Sequence, residues 1–165
     1  MRSKAIEKST LSVILRALMR PNRLALEVSL YTGLRISDVL SIKTESLHKD
    51  KFVVYEKKTG KRHTVRLPKK LKDELIALSG NMFVFQNRLN SRKPRTRQAV
   101  WKDLKRVSKA FRLNGGVSPH SMRKTYAVTL KEMGLSAAKI QRALNHSDPC
   151  VTALYMFADE LALRD

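Results

Sequence analysis

Apolar positions in this chain follow two different periods, and the points where the period changes outline the molecule. Over residues 4–19 they recur at three- and four-residue steps, the spacing of one helix face, until Pro21 ends the pattern. Asn22 is a capping residue for a second helix over 22–31, which Gly33 ends. A short third helix covers about 37–42. The period then shifts. Phe52, Val53, Val54 and Tyr55 form a strand-like run, Lys58-Thr59-Gly60-Lys61 is a turn signal, and 63–67 is a second strand. Pro68 starts a helix over 68–78, and the short apolar run 82–85 reads as either a strand or a buried loop. Thr96 opens a long basic helix to about residue 113, which Gly115-Gly116 breaks. Helices over 119–133, 136–144 and 148–157 follow. The predicted fold class is mainly α with a small antiparallel β-sheet (α+β). With 165 residues, no repeat and no low-complexity linker, a single domain with a real core is expected.

Charge adds a partner to this picture. Lys and Arg total 34 against 14 Asp and Glu, a formal charge of +20. That excess exceeds what solubility needs and points to a polyanion, most commonly nucleic acid, although a generically basic protein would share it. The segment 86–97 carries five arginines and lysines and no acid, which suits either a solvated loop or an arm that tracks phosphates. A single cysteine, Cys150, excludes an internal disulfide and fits a reducing cytoplasm. The apolar run 11–19 is too short to span a bilayer and is broken by Arg16, so no membrane partner is expected. There is no Gly-rich phosphate loop and no metal-carboxylate cluster, so no cofactor and no metal are expected either.

Six residues stand out as candidate chemistry: Arg35, Lys58, His120, Arg123, His146 and Tyr155. Each has a plain reading alone: a surface arginine, a solvated turn lysine, a helix-end histidine, a core tyrosine. As a set they can hold and neutralise one phosphodiester, with a tyrosine nine residues past the last histidine placed to attack it. Arg123 lies three residues after His120, so both project from one helix face, and Pro119 puts His120 in the first turn. Lys57 and Lys61 compete with Lys58 for the same role.

In order and flanking residues, the set resembles the phage-integrase family of tyrosine recombinases. The resemblance rests on Tyr31-Thr32-Gly33-Leu34-Arg35-Ile36-Ser37-Asp38-Val39-Leu40, on Lys58-Thr59-Gly60, on Pro119-His120-Ser121-Met122-Arg123-Lys124-Thr125-Tyr126-Ala127, and on Leu144-Asn145-His146-Ser147-Asp148 followed by Tyr155. It implies the catalytic-domain fold of those DNA breaking and rejoining enzymes, and site-specific recombination of double-stranded DNA through a 3′-phosphotyrosine. In that scheme Tyr155 attacks the phosphate, Arg35 and Arg123 bind its non-bridging oxygens, and Lys58 protonates the leaving 5′-oxygen. His120 moves the tyrosine proton, His146 donates a hydrogen bond to the phosphate, and Asp38 orients Arg35 or His120. Arg92, Lys93, Arg95, Arg97, Lys102 and Lys124 are the candidate DNA contacts.

Three departures from the family pattern stand out. Asn145 occupies a usual glycine position, and Asp38 replaces a common glutamate. Only some twenty residues precede the first arginine box, so the amino-terminal DNA-clamp domain is expected to be absent and 1–165 to be one catalytic domain. The family also implies a homo-tetramer on DNA. The segment 156–165, acidic in a basic protein, either folds back on its own core or docks on a neighbouring subunit. A cytoplasmic, phage- or mobile-element-encoded recombinase is the leading expectation. A non-catalytic DNA-binding regulator and a type IB topoisomerase are the alternatives.

Overall fold

The computed structural model describes residues 6–113 and 117–157. Helices α1 (Lys8–Ala17), α2 (Arg20–Thr32) and the short α3 (Ile36–Val39) lead through a 3-10 turn at Thr44–His48 into a hairpin. Its strands β1 (Phe52–Tyr55) and β2 (Arg62–Val65) pair antiparallel, with Phe52 opposite Val65 and Tyr55 opposite Arg62. Helices α4 (Lys69–Leu78), α5 (Arg97–Ala110), α6 (Pro119–Glu132), α7 (Ala137–Ala143) and α8 (Pro149–Met156) complete the chain. Both the fold class and the position of the hairpin are as the periodicity predicts. The 82–85 segment is a connection with Phe83, Val84 and Phe85 buried and Met82 exposed, joined to Lys43 by a single bridge at Phe83. The Gly115-Gly116 break and the tail beyond Phe157 lie outside the described residues.

The hydrophobic core is in two parts. The larger takes side chains from α1 to α6 and the hairpin, including Ile14, Leu24, Leu26, Leu75, Phe85, Leu104 and Met122. The smaller joins α6, α7 and α8 through Ala127, Ile140, Leu144, Tyr155 and Met156. Helices α2 and α6 pack directly on each other, so the end of α2 and the start of α6 share one neighbourhood.

Asn22 does not cap α2. The helix begins two residues earlier, at Arg20, with Met19 at its cap position. Asn22 is fully buried and donates to Asp103 Oδ2 at 2.7 Å. The same carboxylate oxygen accepts the Met19 N–H at 2.9 Å, so α5 supplies the anion at the positive end of α2. A polar residue near a helix start reads as a cap locally, but the partner that decides its role lies 81 residues away.

Gly33 does end α2, at φ +70 with its N–H bonded to the Ser29 carbonyl. The left-handed conformation favours glycine, and packing makes the preference stronger. A Cβ here would lie 2.6 Å from the Tyr126 ring and 3.2 Å from Leu144. Gly33→Ala should therefore cost about 3 kcal/mol, combining backbone strain and overpacking. Gly60 has φ +67 and nothing within 4 Å, so Gly60→Ala should cost only about 1 kcal/mol. Urea unfolding of both variants measures the difference, and equal losses would contradict the Tyr126 clash.

Candidate active site

Arg123 is the centre of the site. It lies in the first turns of α6, whose start is set by Ser118: this residue accepts the His120 N–H and, with Ser121, closes a capping box. The guanidinium is 1% exposed. Its Nη1 donates to the Gly33 carbonyl at 2.5 Å and its Nη2 to the Leu144 carbonyl at 2.5 Å. These carbonyls sit at the C-terminal ends of α2 and α7, where the helix dipoles favour a cation. Burial, followed by the nearby Arg35 charge, pushes its pKa below the usual arginine range.

Around it opens a cavity of about 520 Å³ lined by Arg35, Lys58, Arg97, Trp101, His120 and Arg123, among others. Arg35 caps α3 at the end of the Gly33 turn. Lys58 sits exposed in the hairpin turn. Its two competitors are placed elsewhere. Lys61 Nζ donates to Ser147 Oγ at 2.8 Å and to the Asn145 carbonyl at 3.3 Å. Lys57 is exposed and does not line the cavity, and its backbone N–H donates to Asp38 Oδ1 at 3.0 Å.

Tyr155 and His146 lie against the same centre. Tyr155, 7% exposed, forms a 2.5 Å hydrogen bond between its hydroxyl and His120 Nε2. The His146 ring stands edge-on to the tyrosine, with centroids 4.9 Å apart, and its Nδ1 is 3.1 Å from Thr152 Oγ1. Helix α8, which carries Tyr155, is capped by Asp148 through the Cys150 N–H. Burial raises the Tyr155 pKa, opposed by the Arg123 and Arg35 charges. All six residues singled out from the sequence thus meet in one place.

The Asp38 expectation needs correcting. Asp38 is fully buried, but its described hydrogen bond goes to the Lys57 backbone and not to the Arg35 or His120 side chains. Its Oδ2 has no partner. The carboxylate that holds Arg35 is Glu56, which the sequence reading missed. Glu56 is 1% exposed and also accepts from Thr59 Oγ1 and from Asn145 Nδ2, each at 3.0 Å. Burial works to raise its pKa, but the Asn145 and Thr59 bonds and the Arg35 charge outweigh it and lower the value.

Among the candidate DNA contacts, Arg92, Lys93, Arg97 and Lys102 are exposed. Lys124 is half-buried, with Nζ 5.7 Å from the centre of the Tyr155 ring. Arg95 is turned inward instead: its Nε donates to Asn22 Oδ1 at 2.6 Å, so it braces the segment leading into α5 against α2. Trp101 was not anticipated. It is 43% exposed at the cavity wall, with Lys105 Nζ 4.7 Å from its ring centre. An exposed tryptophan on a basic helix is the signal that could have found it. Among the described residues no group of His, Cys, Asp and Glu could hold a metal ion, and no helix is long and apolar enough to cross a membrane.

The fold is that of a tyrosine recombinase catalytic domain. It matches the XerA recombinase structure with TM-score 0.78, at 19% identity, covering 99% of this chain and 62% of that one. It matches a lambda integrase dimer bound to a COC′ core site with TM-score 0.79, at 22% identity, covering 94% and 48%. The chain belongs to the phage integrase family, whose model matches residues 4–161. It is 29% identical over 157 residues to tyrosine recombinase XerD of Listeria monocytogenes, covering 85% of this chain and 51% of the relative. It is 30% identical over 134 residues to the probable integrase/recombinase YoeC of Bacillus subtilis, covering 78% and 73%. The chain thus spans about half the length of the XerD relatives.

Two histidines give the site a pH signature. Burial, with Arg123 the next cause for both, brings His120 and His146 each down to about 4. In the unfolded chain they titrate near 6.5, so between about pH 4 and 6.5 the unfolded state binds more protons. Their contribution to stability is therefore complete above about pH 6.5 and is lost as pH falls toward 4. The melting temperature of the free protein should drop across that window, and a His120→Gln/His146→Gln variant should flatten the slope. A variant with the wild-type slope would show that other groups govern acid sensitivity.

Proposed function

We propose that this chain is the catalytic domain of a site-specific recombinase that cleaves and rejoins double-stranded DNA through a 3′-phosphotyrosine. The observation that carries this reading is the Tyr155 hydroxyl bonded to His120 Nε2 at 2.5 Å, beside a cavity that Arg35, Arg123 and Lys58 make strongly cationic.

The chemistry follows from these positions. Tyr155 Oη attacks the phosphorus, and its proton passes to His120 Nε2, which is neutral and able to accept at pH 7. The bond from phosphorus to O5′ breaks, and Lys58 Nζ donates the proton that makes the 5′-hydroxyl. Arg35 and Arg123 hold the non-bridging oxygens and stabilise the extra charge of the five-coordinate transition state. Holding Arg123 on two helix-end carbonyls aims it before DNA arrives, so little reorganisation is needed during the reaction. With His146 Nδ1 engaged by Thr152, Nε2 is the nitrogen that donates to the phosphate. The phosphotyrosine keeps the energy of the broken linkage, so attack by a 5′-hydroxyl rejoins the strand without a nucleotide or metal. Asp38 acts indirectly, by anchoring the hairpin that carries Lys58.

The +20 charge and the exposed Arg92, Lys93, Arg97 and Lys102 supply phosphate contacts that position the duplex without reading its sequence. Assembly is proposed as a homo-tetramer on DNA, with the part of the acidic tail 156–165 that follows Phe157 docking on a neighbouring subunit, in the cytoplasm of a bacterial cell.

A nicked suicide duplex carrying the cognate site tests the chemistry. The wild-type protein should form a covalent adduct on a denaturing gel, and Tyr155→Phe should form none. An adduct that persists in Tyr155→Phe would refute the nucleophile. Lys58→Ala should slow adduct formation by about 10²- to 10⁴-fold. A substrate with sulfur in place of the bridging 5′-oxygen leaves without needing a proton and should restore the rate. Failure of that rescue would remove Lys58 from the acid role.

A further inference from the structure

The two turns that carry Lys58 and His146 are far apart in sequence, and one carboxylate joins them. Glu56 lies at the base of the hairpin turn, where its backbone N–H donates to the Lys61 carbonyl and its own carbonyl accepts the Gly60 N–H. Its carboxylate faces inward, 1% exposed, with two distinct sets of partners. Oε2 accepts from Arg35 and from Thr59. Oε1 accepts from Asn145, with His63 Nδ1 at 3.6 Å. Asn145 in turn donates to the Arg62 carbonyl at 3.2 Å, so its amide holds both sides of the hairpin.

Asn145 is unusual in its own right. Its φ is +52, in the left-handed region, and among the described residues only Arg112 shares that region without being glycine. Glycine would adopt this conformation with no Cβ cost. Asparagine tolerates it and brings an amide that glycine lacks. That amide sits one residue before His146 and ends on the acid that grips Arg35.

We infer that Glu56 is a positioning residue of the active site, fixing Arg35 with one carboxylate oxygen and, through Asn145 on the other, fixing the His146 turn to the Lys58 hairpin. The inference rests on the recombinase reading for its effect on rate, and on geometry alone for its effect on Arg35. A carboxylate fits this place because Arg35 and Arg123 are both cationic before any phosphate is bound, and a buried acid offsets that repulsion. Glutamine cannot replace it, because one of its two ends would present N–H groups to a donor.

The test compares Glu56→Gln, Asn145→Gly and the double variant. Asn145→Gly suits the backbone conformation, which offsets part of the cost of removing the amide from buried Glu56, so the variant should fold with a midpoint near wild type. Single-turnover cleavage of the suicide duplex at saturating protein should nevertheless fall about ten- to a hundredfold in each single variant, with DNA affinity unchanged. The double variant should be no slower than the slower single, since both cut one link. Wild-type cleavage by Asn145→Gly, or losses that multiply in the double, would overturn the inference. Nitrogen NMR of the Arg35 guanidinium in the DNA-free protein reads the link separately. Hindered, resolved Nη signals in wild type should collapse in Glu56→Gln, and unchanged signals would overturn the inference. Absence of any wild-type adduct on the cognate site would instead count against the recombinase reading, while the NMR comparison would still decide the role of Glu56.

Discussion

A guanidinium buried to 1% exposure lies between the C-terminal ends of two helices, and the site is built around it. An arginine in such a place is costly unless its hydrogen bonds are made. Here the Gly33 and Leu144 carbonyls take Nη1 and Nη2, while the buried Nε has no partner in the DNA-free protein. The charge therefore joins α2, from the larger core, to α7, from the smaller one. The Gly33 turn that presents one carbonyl also delivers Arg35, and the Leu144 turn that presents the other leads directly into His146. One cation thus fixes the approach of both flanking segments, and the packing of Tyr126 on Gly33 holds that approach close.

The hairpin is secured by a second set of polar contacts, most of them N–H and O–H groups donated to two buried acids. Asp38 takes the Lys57 N–H, Glu56 takes Arg35, Thr59 and Asn145, and Lys61 reaches across to Ser147. The two-stranded sheet is too small to be rigid alone. Its tip is oriented by polar bonds from α3 and from the turn between α7 and α8. This arrangement leaves Lys58 as the hairpin lysine at the cavity while its neighbours are committed elsewhere.

Much of this was legible from the chain. Period changes located the hairpin and most helices, because amphipathic spacing is a local property and each helix here buries one face. The six cavity and tyrosine-side residues were legible through the order of their motifs. Glu56 was not, since a glutamate in a basic turn reads as a solvated charge. Its role depends on Asn145, 89 positions later. Asn22 and Arg95 misled for the same reason: each satisfies a partner that no local window contains. The choice among three lysines likewise rested on which way a turn faces.

Helices α7 and α8 rest on a core of five buried residues, one of which is Tyr155 itself. Opening free energy scales with the apolar surface that must be exposed, so this end of the molecule forms a less protected cooperative unit than the α1–α5 body. In the proposed chemistry the tyrosine is thus both the reacting group and part of the packing that keeps its own helix seated. Any movement of the ring toward a phosphate would loosen the same small core. The reach of the hydroxyl in that chemistry would then be coupled to the local opening of the carboxyl-terminal helices.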